Sequence, residues 1–174
     1  GWVTGKIGKA LIFDGVDDNV LLSEPPSIST NINNGSVFAW IRTSNAGTSY
    51  RGIVVKQNAY GMFLLDNMFG IYDWGNTTFR STGSNLADNS WHFVGFTFQN
   101  IDSPAPLNNA KLYIDGILQL TTTLKLSSQS EGLVIGAGNN PSTVQFFNGL
   151  IDEVRIYNRA LSDQEIKALY DSTK

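Results

Sequence analysis

The stretch that decides the fold is Phe147-Asn148-Gly149-Leu150-Ile151-Asp152-Glu153-Val154-Arg155-Ile156-Tyr157-Asn158-Arg159-Ala160-Leu161-Ser162, running straight into Asp163-Gln164-Glu165-Ile166-Lys167-Ala168-Leu169-Tyr170. Its first half is a long strand, in which alternation puts Asp152 on the same side as Val154 and Ile156, the side expected to face a core. Its second half carries a helix start. Ser162 caps the helix, Glu165 completes a capping box three residues later, and Leu161 with Ile166 forms the hydrophobic staple. Asp163 and Glu165 also sit favourably at the positive helix end.

Outward from this stretch the chain alternates short strands with turns. Asp115-Gly116 lies between Lys111-Leu112-Tyr113-Ile114 and Ile117-Leu118-Gln119-Leu120 and is the strongest hairpin signal, because glycine tolerates the positive φ of a tight turn. Asp66-Asn67 is a weaker version between Met62-Phe63-Leu64-Leu65 and Met68-Phe69-Gly70-Ile71. Runs such as Ile53-Val54-Val55, Phe93 to Phe98 and Leu133-Val134-Ile135 are β-branched or aromatic. Short, even turn spacing favours a sandwich over βαβ units. The stretches 23–34, 43–50, 100–109 and 136–144 hold all five prolines and are expected to be surface loops. The single helix is expected to plug the sandwich edge.

Composition narrows the function classes. A chain of 174 residues is one domain, long enough to bury most of its apolar surface. The absence of cysteine excludes a disulfide framework, a thiolate metal site and a cysteine nucleophile. A net charge of −3 without a basic block argues against nucleic acid or anionic lipid as partner. No apolar run approaches the roughly 20 residues of a membrane span. Gly1-Trp2 does not read as a natural start, and residues 1–174 are expected to be a single domain excised from a larger protein.

The closing strand and helix quoted above resemble those of the laminin-G-like branch of the concanavalin A-like jelly rolls. Leu11-Ile12-Phe13-Asp14-Gly15-Val16-Asp17-Asp18-Asn19-Val20 resembles the opening hairpin of that family. Ser36-Val37-Phe38-Ala39-Trp40-Ile41-Arg42, Trp91-His92-Phe93-Val94-Gly95-Phe96-Thr97 and Leu112-Tyr113-Ile114-Asp115-Gly116 are similar to three more of its strands, in the family's order. The resemblance implies an all-β fold: a jelly-roll sandwich of two antiparallel sheets with one short C-terminal helix. The same fold carries lectins, adhesion modules and glycoside hydrolases, so function must come from the site.

Two sites are expected. The first is for calcium, which takes carboxylate and carbonyl oxygens. Asp14, Asp17 and Asp18 crowd the first hairpin, and a core-facing Asp152 needs a partner. The resemblance implies a structural calcium between first and last strands, with Asp14 and Asp152 the best matches. The alternative is that Asp14, Asp17 and Asp18 only make the turn, while Asp152 accepts backbone N–H bonds or pairs with an arginine. The second site is for a sugar. Tyr72-Asp73-Trp74-Gly75-Asn76 concentrates aromatic and hydrogen-bonding residues at a strand end, with Tyr50 and Tyr60 as further candidates. Val37, Ala39 and Ile41 share one strand face; Phe38, Trp40 and Arg42 share the other, the concave surface if the first set is core. Arg42 joins the sugar candidates, whereas Phe38, Trp40 and Trp91 are expected to pack under loops.

Other chemistry is weakly supported. His92, the one histidine, shares a side with Val94, Phe96 and Phe98 and reads as a hydrogen-bonded structural residue. No G-x-S-x-G elbow is present. Glycosidases on this fold use paired carboxylates. The four glutamates, Glu24, Glu131, Glu153 and Glu165, do not form the Glu-x-Asp-x-x-Glu pattern of the related laminarinase-type hydrolases, and nothing pairs Asp66 with Asp73. The Asn34-Gly35-Ser36 and Asn76-Thr77-Thr78 sequons arise readily by chance in such a composition. The expected function is non-catalytic glycan recognition or adhesion, calcium-stabilised, in a secreted or surface protein. The partner would be a glycan or surface glycoprotein, alongside other domains of the parent chain. The alternative is a protein-binding or architectural laminin-G-like domain without a sugar site.

Overall fold

The computed structural model describes residues 1–22, 33–44, 47–101, 106–125, 127, 132–138 and 145–174. Glu24, Glu131 and large parts of the four expected loops lie outside the described residues. In chain order the strands are β1 (Trp2–Thr4), β2 (Lys9–Asp14), β3 (Val20–Leu22), β4 (Gly35–Arg42), β5 (Arg51–Lys56), β6 (Tyr60–Leu65), β7 (Met68–Asp73), β8 (Thr78–Asn85), β9 (Trp91–Phe98), β10 (Ala110–Ile114), β11 (Ile117–Thr122), β12 (Leu133–Ile135) and β13 (Asn148–Tyr157). One helix, α1 (Asp163–Thr173), closes the chain.

The strands make two antiparallel sheets. One has seven strands in the order β1-β2-β13-β4-β9-β10-β11; the other has six, β3-β12-β5-β6-β7-β8. Both predicted hairpin turns are present. Asp115 and Gly116 have φ of 52° and 75°, and Asp66 and Asn67 of 51° and 66°, the paired positive values of the tightest hairpin turns. Alternation then sorts side chains. Val37, Ala39 and Ile41 of β4 meet Met62, Leu64, Phe69 and Ile71 of the opposite sheet in the main core.

The outer face of the seven-stranded sheet carries a second core. Phe38, Trp40, Phe93 and Tyr113 are buried there with Leu161 and Ile166. Trp40 stacks on Tyr170 at 5.7 Å, and its Nε1 donates to Thr173 Oγ1 at 3.1 Å. The helix therefore lies flat on this face rather than plugging an edge, and the Phe38–Trp40 face is not an open concave surface. The capping box forms as expected, with Ser162 and Glu165 exchanging bonds. Tyr113 and Lys111 both donate to Asp163, which docks the helix start on β10.

One feature of β13 overturns the expected alternation. Glu153 adopts φ of 48°, and the pairing with β4 slips between Asp152 and Arg155. This bulge inserts one residue. Asp152 pairs with Trp40 on the outer side, while Val154 and Ile156 pack against the main core. Asp152 is thus not on the side of Val154 and Ile156.

Candidate ligand-binding surface

The outer face of the six-stranded sheet has no helix against it among the described residues. It carries a cluster of rings instead. Tyr50 meets Phe63, Tyr72 and Phe79 edge-on, at centroid distances of 5.7, 5.7 and 5.6 Å. Trp74 meets Tyr72 at 5.1 Å and Phe63 at 6.0 Å. Phe63 is buried at the base; Tyr50, Tyr72, Trp74 and Phe79 are half-buried. Edge-to-face contacts hold such rings in fixed orientations. Two strand glycines make the cluster possible. A Cβ at Gly61 would stand 2.9 Å from Trp74 Cη2, and one at Gly70 would stand 2.5 Å from Phe79 Cζ. Glycine inside a strand marks such close approach. This was the available sign of the missed members Phe63 and Phe79.

The rim is polar and electrically spent. Among the described residues the hydroxyls of Tyr50 and Tyr72 have no protein hydrogen-bond partner; burial, and then Tyr72, pushes the Tyr50 phenol up. Arg51 donates to Phe146 O at 3.0 Å. Asp73 is fully buried. Its Oδ1 accepts from the amides of Asn76 and Lys125 at 3.3 and 3.1 Å, and its Oδ2 from Asn76 Nδ2 and an Arg80 terminal nitrogen at 2.9 and 3.1 Å. Four donors saturate the carboxylate. Asp73 is a staple under the Trp74 turn, not a sugar ligand.

Two more expected ligands lie elsewhere. Tyr60 faces the main core, 1% exposed, and stacks on Phe98 at 5.4 Å. It shares the inward side of β6 with Met62 and Leu64, so it cannot reach a ligand on the outer face. Arg42 extends from the outer face of the other sheet, where it pairs with Leu150 and Trp91. Tyr72, Trp74 and Arg42 therefore stand on opposite sides of the sandwich and form no single site.

The acidic residues are also divided. Asp14, Asp17 and Asp18 bring carboxylate oxygens within 4.8 Å of one another at the end of β2. Asp14 Oδ1 accepts from Val16 N at 2.8 Å, which holds its carboxyl below the usual range. Asp18 Oδ2 accepts from Asp14 N at 3.1 Å. Asp152 is not part of this group. Asp14 pairs with Asn148, four residues before Asp152 on β13, a separation of about 13 Å along a strand. Asp152 accepts from Ile7 N at 2.9 Å and Glu153 N at 2.8 Å, so it ties the β1–β2 turn to β13. β2, which carries Asp14, pairs with the last strand β13, but Asp14 and Asp152 do not meet.

His92 is structural in its surroundings. Its Nδ1 lies 2.9 Å from Asp115 Oδ2 and its Nε2 3.2 Å from Asp88 Oδ1. The Asp115 bond raises the imidazole above its ordinary value. The described glutamates are engaged as well: Glu153 pairs with Arg155, and Glu165 with Arg159 and the helix cap. Asp66 and Asp73 stand at opposite ends of β7.

The model of the concanavalin A-like lectin/glucanases superfamily, in its laminin-G-like form, matches residues 14–167. The chain belongs to this superfamily. Several solved structures share this fold. The binding domain of Paraclostridial Mosquitocidal Protein 1 superposes with a TM-score of 0.73 at 14% identity, covering 99% of this chain and 45% of that one. Domain 4 of AbnA, a GH43 extracellular arabinanase from Geobacillus stearothermophilus solved with arabinotriose, gives 0.71 at 21%, covering 98% and 80%. A botulinum neurotoxin type C structure, whose cell entry depends on two ganglioside molecules, gives 0.71 at 19%, covering 100% and 45%. This chain thus spans under half the length of the two toxin chains. Comparison with curated protein sequences gives no match. In this superfamily member, no described helix is long and apolar enough to cross a membrane.

Proposed function

We propose that this chain is a non-catalytic carbohydrate-binding module of an extracellular or cell-surface protein, and that it binds a neutral glycan on the outer face of the six-stranded sheet. The observation that supports this reading is the half-buried cluster of Tyr50, Tyr72, Trp74 and Phe79 on a sheet face that no described helix covers. Sugar rings present apolar C–H faces that pack on aromatic rings, and their hydroxyls match the two tyrosine hydroxyls at the rim. Arg80 and Asp73 neutralise each other beneath the site, which favours an uncharged ligand. The arabinotriose bound by the similar AbnA domain names the first probe.

A calcium ion at the β2 end accompanies this proposal. Asp14, Asp17 and Asp18 offer three exposed or half-exposed carboxylates, and no described cation pairs with them. That donor set suits a hard divalent ion. It would brace the turn and takes no part in sugar contact.

The test is a titration with arabino-, xylo- and gluco-oligosaccharides, read by tryptophan fluorescence and amide chemical shifts. Trp74→Ala is expected to weaken binding at least about tenfold, or about 1.4 kcal/mol, when titrated below the variant's own melting transition, since the variant also loses the ring contacts to Tyr72 and Phe63. Full affinity in Trp74→Ala, or shifts confined to residues outside this face, would overturn the reading.

A further inference from the structure

Arg42 was expected to join the aromatic sugar site, and the structure leaves it in a different one. Two residues beyond Trp40 on β4, past the cover of α1, a cleft of about 520 Å³ opens on the outer face of the seven-stranded sheet. Val3, Ile12 and Leu150 give it an apolar floor, with Ile12 43% exposed. Arg42, Asn89 and Asn148 line its polar side.

We propose that this cleft is a second ligand site, in which Arg42 holds the carboxylate of a uronate residue within an otherwise neutral, hydroxyl-rich glycan. The guanidinium is built for this. Its Nε donates to both the main-chain oxygen and Oδ1 of Asn89, at 2.9 and 3.1 Å, which fixes the plane of the group. Its two terminal nitrogens have no protein partner among the described residues. Arg80, Arg155 and Arg159 differ, each spending a terminal nitrogen on a carboxylate at 3.1, 2.6 and 2.6 Å. A fixed guanidinium with both terminal nitrogens open matches a planar carboxylate in two parallel bonds.

The rest of the cleft selects the ligand further. Thr43 Oγ1 donates to Asn148 O at 2.6 Å, and Asn89 N donates to Thr43 O at 2.8 Å, so strand end and loop are locked together. The Asn148 side chain is exposed and makes no described hydrogen bond. It offers a donor and an acceptor to neighbouring hydroxyls. Asp14 pairs across from Asn148, so the far end of the cleft is acidic. That charge disfavours a dense polyanion, and it orients a sparsely charged chain with its carboxylate at Arg42. The floor takes the C–H face of the sugar.

The proposal does not depend on the aromatic surface. The test compares a glucuronic-acid-substituted xylotetraose, its methyl ester and plain xylotetraose, by titration calorimetry with chelator present. The acid is expected to bind about tenfold more tightly than the ester, the size of one charge-assisted pair. Arg42→Gln should abolish that preference, Arg42→Lys should restore part of it, and Trp74→Ala should leave it intact. Asn148→Ala should weaken acid and ester alike while keeping the preference. Equal binding of acid and ester, a preference that survives Arg42→Gln or is lost in Trp74→Ala, or an acidic peptide that binds as tightly as the uronate would overturn the proposal. If Arg42→Gln melts early, unchanged affinities in Asn148→Ala overturn it independently.

Discussion

Replacing Asp73 separates two roles that its position beside Trp74 confuses. Its carboxylate is fully buried and serves four donors, while the Arg80 side chain it pairs with remains 31% exposed. In Asp73→Ala the amides of Asn76 and Lys125 lose their acceptor, and Arg80 loses its counter-ion. Breaking a fully buried ion pair from one side costs about 3–5 kcal/mol. Water reaches Arg80, so the lower end applies, about 3 kcal/mol with the stranded amides included. For a domain of this size each kcal/mol moves the melting temperature by about 2–4 °C, so a fall of about 6–12 °C is expected. Asp73→Asn retains one acceptor oxygen but not the charge, and should fall about half as far. The assay is a thermal melt followed by circular dichroism, beside an oligosaccharide titration below the transition. A melt within about 2 °C of the parent, with sugar affinity lost, would refute the staple and restore Asp73 as a ligand.

Two further predictions concern charge. His92 is raised by its Asp115 bond, so its protonated form is the one the fold favours. That stabilisation is complete below the unfolded-state value near 6.5 and is lost as pH rises through the higher folded value. The melting temperature should therefore fall as pH rises above about 6.5, and His92→Gln should flatten that fall; an equal slope in the variant would show that the histidine bonds are not responsible. For calcium, Asp14→Ala should abolish the stabilisation by added ion and leave the melt in chelator nearly unchanged. Asp152→Ala should lower the melt in chelator, because Ile7 and Glu153 lose their acceptor, yet keep the calcium response. The reverse pattern would move the ion to Asp152 on β13.

Local chemistry made much of the fold legible. Asp115-Gly116 and the Ser162–Glu165 box are decided within four residues, and the structure forms both. The β4 alternation correctly set Val37, Ala39 and Ile41 against Phe38 and Trp40. Long-range partners defeated the same reasoning at the site. Asp73 is quenched by Lys125, 52 positions away, and Arg80 reaches it across the β7–β8 hairpin. Asp152 was misplaced because alternation assumes an unbroken strand, and the bulge at Glu153 breaks it. Tyr60 differs, since its even spacing from Met62 and Leu64 puts it on the inward side by alternation alone.

The two outer faces explain why aromatic content alone could not locate the site. Both carry rings, but the chain spends them differently. On the seven-stranded sheet, Phe38, Trp40, Phe93 and Tyr113 are sealed by α1, whose start is pinned through Asp163 and whose end is pinned through Thr173. Uncovering that face would mean losing the burial of Leu161 and Ile166, a cost of about 1.5–3 kcal/mol for each side chain. The part of that face beneath α1 is therefore structural. On the six-stranded sheet, Gly61 and Gly70 let Trp74 and Phe79 sink against the backbone, and no helix covers the rings among the described residues. Order without cover is what a preorganised binding surface needs, because little side-chain entropy remains to be lost when a ligand arrives.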